Sequence, residues 1–170
     1  MIRSGVIHDA STAECLVYTF REGLLSAVGH DLCLRVERFA VEVTGEPAAP
    51  SILGRFDAAS LRATGDVSPA DARKIERNAA DDVLDARRFA TIEFRSTRVT
   101  RDGERARIEG TLALHGTSRP IAFDAVADAG DWRAEVRLDQ RDFGIKPFSA
   151  MLGALRVKPD VVVRIRVPRS

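Results

Sequence analysis

Most of this chain alternates. Leu16, Tyr18 and Phe20 recur at every second residue between Glu14 and Arg21, and the same period returns in Leu32, Leu34 and Val36, in Phe39, Val41 and Val43, and in Ile92 and Phe94. Such alternation predicts half-buried strands with one face toward a core. Beyond residue 100 the pattern is cleaner. Ala106, Ile108, Gly110, Leu112 and Leu114 share a face, followed by Ile121, Phe123, Ala125 and Ala127, by Trp132, Ala134, Val136 and Leu138, and finally by Val161, Val163, Ile165 and Val167. Asp102-Gly103 and Gly130-Asp131 mark tight turns between strands, and Gly116 to Pro120 marks a longer one. Gly45 to Pro50 reads as a loop before a strand from Ser51 to about Leu61. Between Val36 and Phe39 the apolar phase slips, which predicts a bulge, bend or turn at Glu37-Arg38.

One stretch follows the helical period instead. Ser68-Pro69 is a helix start, with a hydroxyl to accept from the first-turn amides and a proline that gives up no bond there. Ala72, Ile75, Ala79 and Val83 then form a narrow apolar stripe, with Arg73, Lys74, Glu76 and Arg77 toward solvent. Asp81, Asp82 and Asp85 would oppose the macrodipole at the end of one long helix, so a break is expected near Asn78 to Asp81. A second short helix would end at Arg87-Arg88.

The elements amount to a mainly β chain of about eight strands with one helical insertion over about residues 68–88. Such strands must close on themselves or stack to hide their edges, so an antiparallel β-barrel or flattened, barrel-like sandwich is predicted. Residues 13–168 form its single domain, preceded by an N-terminal segment over residues 1–12.

Composition narrows the function. With 26 basic and 25 acidic residues the net charge is +1, so no overall field draws the protein to nucleic acid. No run approaches the roughly 18 apolar residues of a transmembrane helix, and the N-terminus lacks the apolar core of a signal peptide, which predicts a cytoplasmic protein. Cys15 and Cys33 read as free thiols in that compartment. No Cys/His cluster indicates a metal site. His30-Asp31 near Ser26 invites a hydrolase reading, but adjacent strand residues point to opposite faces and no nucleophile elbow is present. The expectation is therefore no catalytic residue and no metal, with His30 and Asp31 at a barrel mouth. His115 reads as structural or exposed in its turn, and His8 as part of a loose terminus.

Several stretches carry a family resemblance. The run Asn78 to Ser96, ending Phe89-Ala90-Thr91-Ile92-Glu93-Phe94-Arg95-Ser96, resembles the helix-to-strand signature of the YceI-like family. Gly110 to Pro120 is similar to that family's G-x-L-x-x-H-G-x-x-x-P hairpin, Arg141-Asp142-Phe143-Gly144-Ile145 to its R-x-D-F-G-I segment, and the closing Lys158 to Val167 strand also fits. The resemblance covers about Ala13 to Val167. It implies a lipocalin-like barrel that binds a polyisoprenoid lipid. Many members are exported, and this chain shows no export signal.

The inward residues then have two readings. Leu16, Tyr18, Phe20, Phe94, Leu112, Leu114, Phe123, Ala125, Trp132, Ala134 and Val136 either fill a solid core or line a tunnel for an apolar chain. Small inward residues such as Ala106, Gly110, Ala127 and Ala134 leave space and tip the balance to a cavity. The leading expectation is a noncatalytic carrier of an apolar small molecule, with no cofactor beyond a bound isoprenoid lipid or quinone. The alternative is a solid-barrel interaction or stress-response module acting through the 143–153 loop, where Phe148 and Met151 would sit at the barrel mouth or in a homodimer contact.

Overall fold

The computed structural model describes residues 5–24 and 31–169. Among them twelve strands pair antiparallel in one sheet: β1 (Val6–Asp9), β2 (Glu14–Glu22), β3 (Leu32–Val36), β4 (Phe39–Glu46), β5 (Ala49–Asp57), β6 (Leu61–Ala63), β7 (Thr91–Asp102), β8 (Arg105–Leu114), β9 (Thr117–Asp128), β10 (Asp131–Asp139), β11 (Ser149–Ala150) and β12 (Leu155–Pro168). Their order is β1-β4-β5-β7-β8-β9-β10-β12-β2-β3-β6, with β11 added beside β12. The sheet curls into an antiparallel half-barrel, and helix α1 (Pro69–Arg77) lies in the connection from β6 to β7.

The phase slip at Glu37-Arg38 has a structural meaning. By their pairings β3 and β4 run in the same sense on opposite flanks of the sheet, so Glu37-Arg38 joins them as one bent strand. β5 and β6 do the same through Ala58 to Ser60. Since β4 pairs with β5 and β3 with β6, the two bent strands make one long hairpin that leaves one flank and joins the other, spanning the open side of the half-barrel. Backbone bonds continue through the bend: Glu37 N–H donates to the Ser60 carbonyl at 3.0 Å, and Asp57 N–H to the Arg38 carbonyl at 2.9 Å. Ser60 is fully buried there, at 0% exposure. Its hydroxyl accepts from Arg38 N–H at 3.1 Å and donates to the Asp57 carbonyl at 2.8 Å. Arg38 Nε donates to Asp57 Oδ2 at 2.8 Å, and Asp57 Oδ1 accepts from Ala59 N–H at 2.9 Å.

Several expectations shift. The strand number exceeds eight because each bent strand counts twice and the short β1 and β11 take part. Val6–Asp9, read as part of a loose terminus, is edge strand β1, and the turn before β5 is only Pro47-Ala48. Two turn signals are displaced by one residue: the turns are Gly103-Glu104 and Ala129-Gly130. The turn after β8 is His115-Gly116, so Thr117 to Pro120 belong to β9. His115 (φ 54) and Ala129 (φ 49) each precede a glycine at positive φ, the pair of left-handed residues that matches strand twist.

The helix starts as predicted, with the Ser68 hydroxyl accepting from Asp71 N–H at 3.2 Å. It does not break at Asn78. Asn78 to Val83 widen into a π turn, where Leu84 N–H reaches back to the Ala79 carbonyl at 2.9 Å. Asp81 and Asp82 stay exposed, which removes the conflict that suggested two helices. No described helix is long and apolar enough to cross a membrane.

The bend generates a stability prediction. Ser60→Ala should lower unfolding stability by about 1–3 kcal/mol in urea titrations, because Arg38 N–H loses its buried partner, while the Asp57 carbonyl keeps the backbone N–H of residue 60. A change of only a few tenths would show that the hydroxyl does not hold the bend. Asp57 adds a pH dependence. Burial raises its pKa, but the bonds from Arg38 and Ala59 outweigh this and hold it below the ordinary 3.8. Its stabilisation is present above that ordinary value and is lost as pH falls through the lowered one. Asp57→Asn should therefore soften the acid decline in the urea midpoint.

Candidate functional site

The inner face of the sheet surrounds a cavity of about 570 Å³. It runs from the end where Trp132 and Arg101 lie to the end where Ile75, Ala79 and Phe148 lie, so it extends along the barrel. Antiparallel partners share a face, and the wall follows strand by strand. β12 contributes Val161, Val163, Ile165 and Val167; opposite them β2 contributes Thr19, Val17 and Cys15. Val136 and Ala134 of β10 stand across from Val163 and Ile165.

Two devices keep this lumen hollow. Ala106, Ala125 and Ala134 are direct partners across β8, β9 and β10, a row of methyl groups where larger side chains would meet. Aromatic rings also lie against glycines. A Cβ on Gly110 would fall 2.5 Å from Phe94 Cζ, and one on Gly54 would fall 2.9 Å from a Phe56 ring carbon. The rings thus cover the wall where the sheet has no side chain of its own. A bulge between Ser96 and Arg98 then moves the inward phase of β7 from Phe94 to Val99 and Arg101.

Of the residues expected to form a ligand wall, Phe94, Leu112, Leu114, Phe123, Ala125, Trp132, Ala134 and Val136 border the cavity. Leu16, Tyr18 and Phe20 do not, and this is a correction. Leu16 is opposite Arg164 and Tyr18 opposite Val162, which places both on the outer face. Tyr18 lies beneath the Arg164 guanidinium, 4.8 Å from its ring centroid. A hydrogen bond with the Cys33 thiol, its largest influence, raises the Tyr18 phenol above its ordinary pKa. Both faces of β2 are apolar enough to be core, and the outer set is the bulkier. The arginines at 164 and 166 were the available signal, since they fix the outer face of β12 and so that of its neighbour.

The mouth residues separate. Phe148 borders the cavity; Met151 is exposed and does not. Asp31 is exposed, its carboxylate accepting from Arg21 N–H at 2.9 Å. His30 lies outside the described residues. His8, expected in a loose terminus, is buried on β1 and borders the cavity. His115 Nδ1 lies 3.3 Å from the Phe143 carbonyl and its ring packs on Phe89 at 4.7 Å. The 143–153 loop divides too. Phe143 and Ile145 are buried in the core, with Gly144 at φ 68 turning the chain between them.

Polar groups in the wall are few and mostly satisfied. Gln140 is buried and donates from Nε2 to the Lys158 carbonyl at 3.1 Å. Trp132 has the guanidinium groups of Arg101 and Arg169 over its ring at 5.2 and 5.5 Å. Among the described residues no three His, Cys, Asp or Glu side chains gather as a metal site. Cys15 is in the wall, where burial pushes its thiol pKa up to about 12. Cys33 alternates with the inward Leu32 and Leu34 and so faces outward, which leaves the two sulfurs on opposite sides of the sheet. A polar thiol reagent should therefore label Cys33 alone in the native protein and both cysteines after denaturation; rapid native labelling of both would contradict this placement.

The sequence model described as the YceI-like domain matches residues 26–168. A UPF0312 protein of Vibrio cholerae is 30% identical over 114 residues, covering 56% of this chain and 60% of that protein. The chain thus spans less than two thirds of that relative's length. A UPF0312 protein of Pseudomonas fluorescens is 33% identical over 79 residues, or 40% and 41% of the two chains. Among solved structures, BcnA of Burkholderia cenocepacia superposes with a TM-score of 0.70 at 14% identity, over 93% of this chain and 96% of that one. A polyisoprenoid binding domain from Saccharophagus degradans gives 0.54 at 13% identity, over 98% and 99%. At these identities the structures establish a shared fold.

Proposed function

The chain belongs to the YceI-like family, and we propose that it is a noncatalytic carrier that holds one apolar, isoprenoid-type lipid inside the barrel. The observation that carries this reading is the continuous apolar lumen of about 570 Å³, within the usual size of a small-molecule site. The alanine row and the glycine-backed aromatic rings support it, because they keep open a space that a solid core would fill. The Saccharophagus degradans domain, whose name states polyisoprenoid binding, has the same fold. Phe94, Leu112, Leu114, Phe123, Ala125, Trp132, Ala134 and Val136 would contact the chain of the ligand, together with Val17 and Ile165.

Affinity would come from apolar burial at about 0.8 kcal/mol per CH₂, so it would grow with chain length more than with headgroup identity. The inert Cys15 thiol adds no nucleophile to the wall. Two free cysteines on opposite faces suit a reducing compartment, which supports placing the carrier in the cytoplasm.

Native mass spectrometry of the freshly purified protein, followed by lipid extraction, tests the reading. An apolar adduct released on denaturation is expected. A clean apo mass, unchanged after incubation with polyprenols and isoprenoid quinones, would favour an interaction module instead; the same spectrum would reveal a dimer. Ala134→Phe places a ring at the end of the alanine row and should weaken polyprenol uptake roughly tenfold or more, with the fold retained by circular dichroism. Full uptake by that variant would remove the row from the binding path.

A further inference from the structure

Among the described residues three polar side chains are buried: His8, Ser60 and Gln140. Two have partners, Ser60 in the corner of the bent strands and Gln140 at the Lys158 carbonyl. His8 has none, since no hydrogen bond from a described residue reaches its imidazole. Burying a polar group without a partner costs free energy, and folded proteins rarely leave one so.

The strand itself gives no reason for a histidine. β1 alternates, with Ile7 65% exposed and His8 9% exposed. His8 is the direct partner of Val41, Val41 of Gly54, Gly54 of Phe94 and Phe94 of Leu112, and this whole row borders the lumen. No other member of the row carries a polar side chain, so an aliphatic residue at position 8 would complete the wall. The adjacent carboxylate, Asp9, is exposed on the other face and accepts from Ser11 N–H at 2.9 Å. The ring nitrogens of His8 are not sealed off either: no described side-chain nitrogen or oxygen is enclosed without a partner, and His8 opens on the lumen.

Its position sets a direction. β1 starts beside the β4–β5 turn, at the end of the barrel that also holds the β7–β8 and β9–β10 turns and Trp132. His8 lies two residues, about 7 Å, inside Val6 at that rim. The longer part of the lumen lies beyond it, toward Ile75, Ala79 and Phe148. An uncharged imidazole offers one donor and one acceptor, which suits a single oxygen. A phosphate would need several donors, and the valines at positions 6, 41 and 43 supply none. At the rim Arg101 is over the Trp132 ring, and Arg133 is 3.5 Å from Asp128 and 3.9 Å from Asp131.

We infer that His8 is the headgroup anchor of the lumen: its imidazole hydrogen-bonds an uncharged oxygen, a hydroxyl or a carbonyl, at the polar end of an isoprenoid ligand, and the chain runs from there toward Phe148. The inference rests on the lipid-carrier reading and adds to it the class of the head and the sense of the chain. One such bond sets direction, while burial of the chain still supplies most of the affinity.

The test compares geranylgeraniol with the hydrocarbon of the same chain lacking the hydroxyl, each taken up from detergent by the wild type and by His8→Leu. The variant should lower the ratio of alcohol to hydrocarbon affinity about tenfold, by weakening the alcohol and leaving the hydrocarbon bound at least as tightly. An unchanged ratio overturns the anchor and leaves the carrier reading standing. Uptake of neither probe by the wild type overturns the carrier reading itself, and the anchor with it. The wild type also answers without a variant: the imidazole nitrogen resonances of His8, assigned through the backbone, should shift on adding the alcohol and not the hydrocarbon. Equal shifts with both probes, as displaced water would give, or none with the alcohol, overturn the inference.

Discussion

A single hairpin has to belong to both flanks of the sheet, and the rest of the barrel depends on how it bends. β4 and β5 extend one flank while β3 and β6 extend the other, so the strands change partners at Glu37-Arg38 and Ala58–Ser60. A change of partners leaves backbone groups without a ladder, and buried orphans of this kind are costly. One small, fully buried hydroxyl at Ser60 meets the amide of Arg38 and adds a second bond to the Asp57 carbonyl, which also accepts from Ser60 N–H, and the Arg38 and Asp57 pair closes the outside of the corner. Only a short polar side chain fits such a place. A larger one would push the flanks apart, and an apolar one would leave the amide of Arg38 unpaired.

Spanning the open side creates a second constraint, since the enclosed space must be filled or kept apart. Here it is kept apart. Phe94 lies over Gly110 and Phe56 beside Gly54, so each ring spreads along the wall instead of across the lumen. On the other side Ala106, Ala125 and Ala134 offer no side chain long enough to reach the centre. The helical insertion supplies Ile75, Ala79, Val83 and Leu84 to one end, while Asp81 and Asp82 remain in water. The result is a lumen with strong walls and a weak filling.

Much of this was legible in the sequence because strand alternation reports which face is buried. β8, β9 and β10 were read with the correct face, as β8 and β10 set apolar residues against charged ones and β9 lies between them. β2 was not. Cys15, Val17 and Thr19 are smaller than Leu16, Tyr18 and Phe20, and hydrophobicity by size selects the wrong set when the outer face is shielded by arginine. The information needed was non-local: once Arg164 and Arg166 fix the outer face of β12, pairing fixes that of β2. The bend at Glu37-Arg38 was visible as a slip of phase, but its role in joining the flanks depends on which strands meet, and a one-residue slip does not encode that. The bulge at Ser96 to Arg98 escaped for the same reason, since it reverses the inward phase within an otherwise regular strand.

The two ends of the lumen are built on different physics, and that difference gives the barrel a direction. At the Trp132 end, side chains lock to one another: two guanidinium groups cover the indole, Asp131 lies 3.5 Å from Arg166, and Arg169 lies 3.5 Å from Glu104. Separating these groups would expose an aromatic face and several charges together. At the opposite end the structure spends strain on exposure, holding Met151 and Leu152 in left-handed backbone with their side chains in water. A short turn held by a few backbone bonds opens at lower cost than a charge-locked rim. On the proposed carrier reading, an apolar molecule would exchange beside Phe148 rather than beside Trp132.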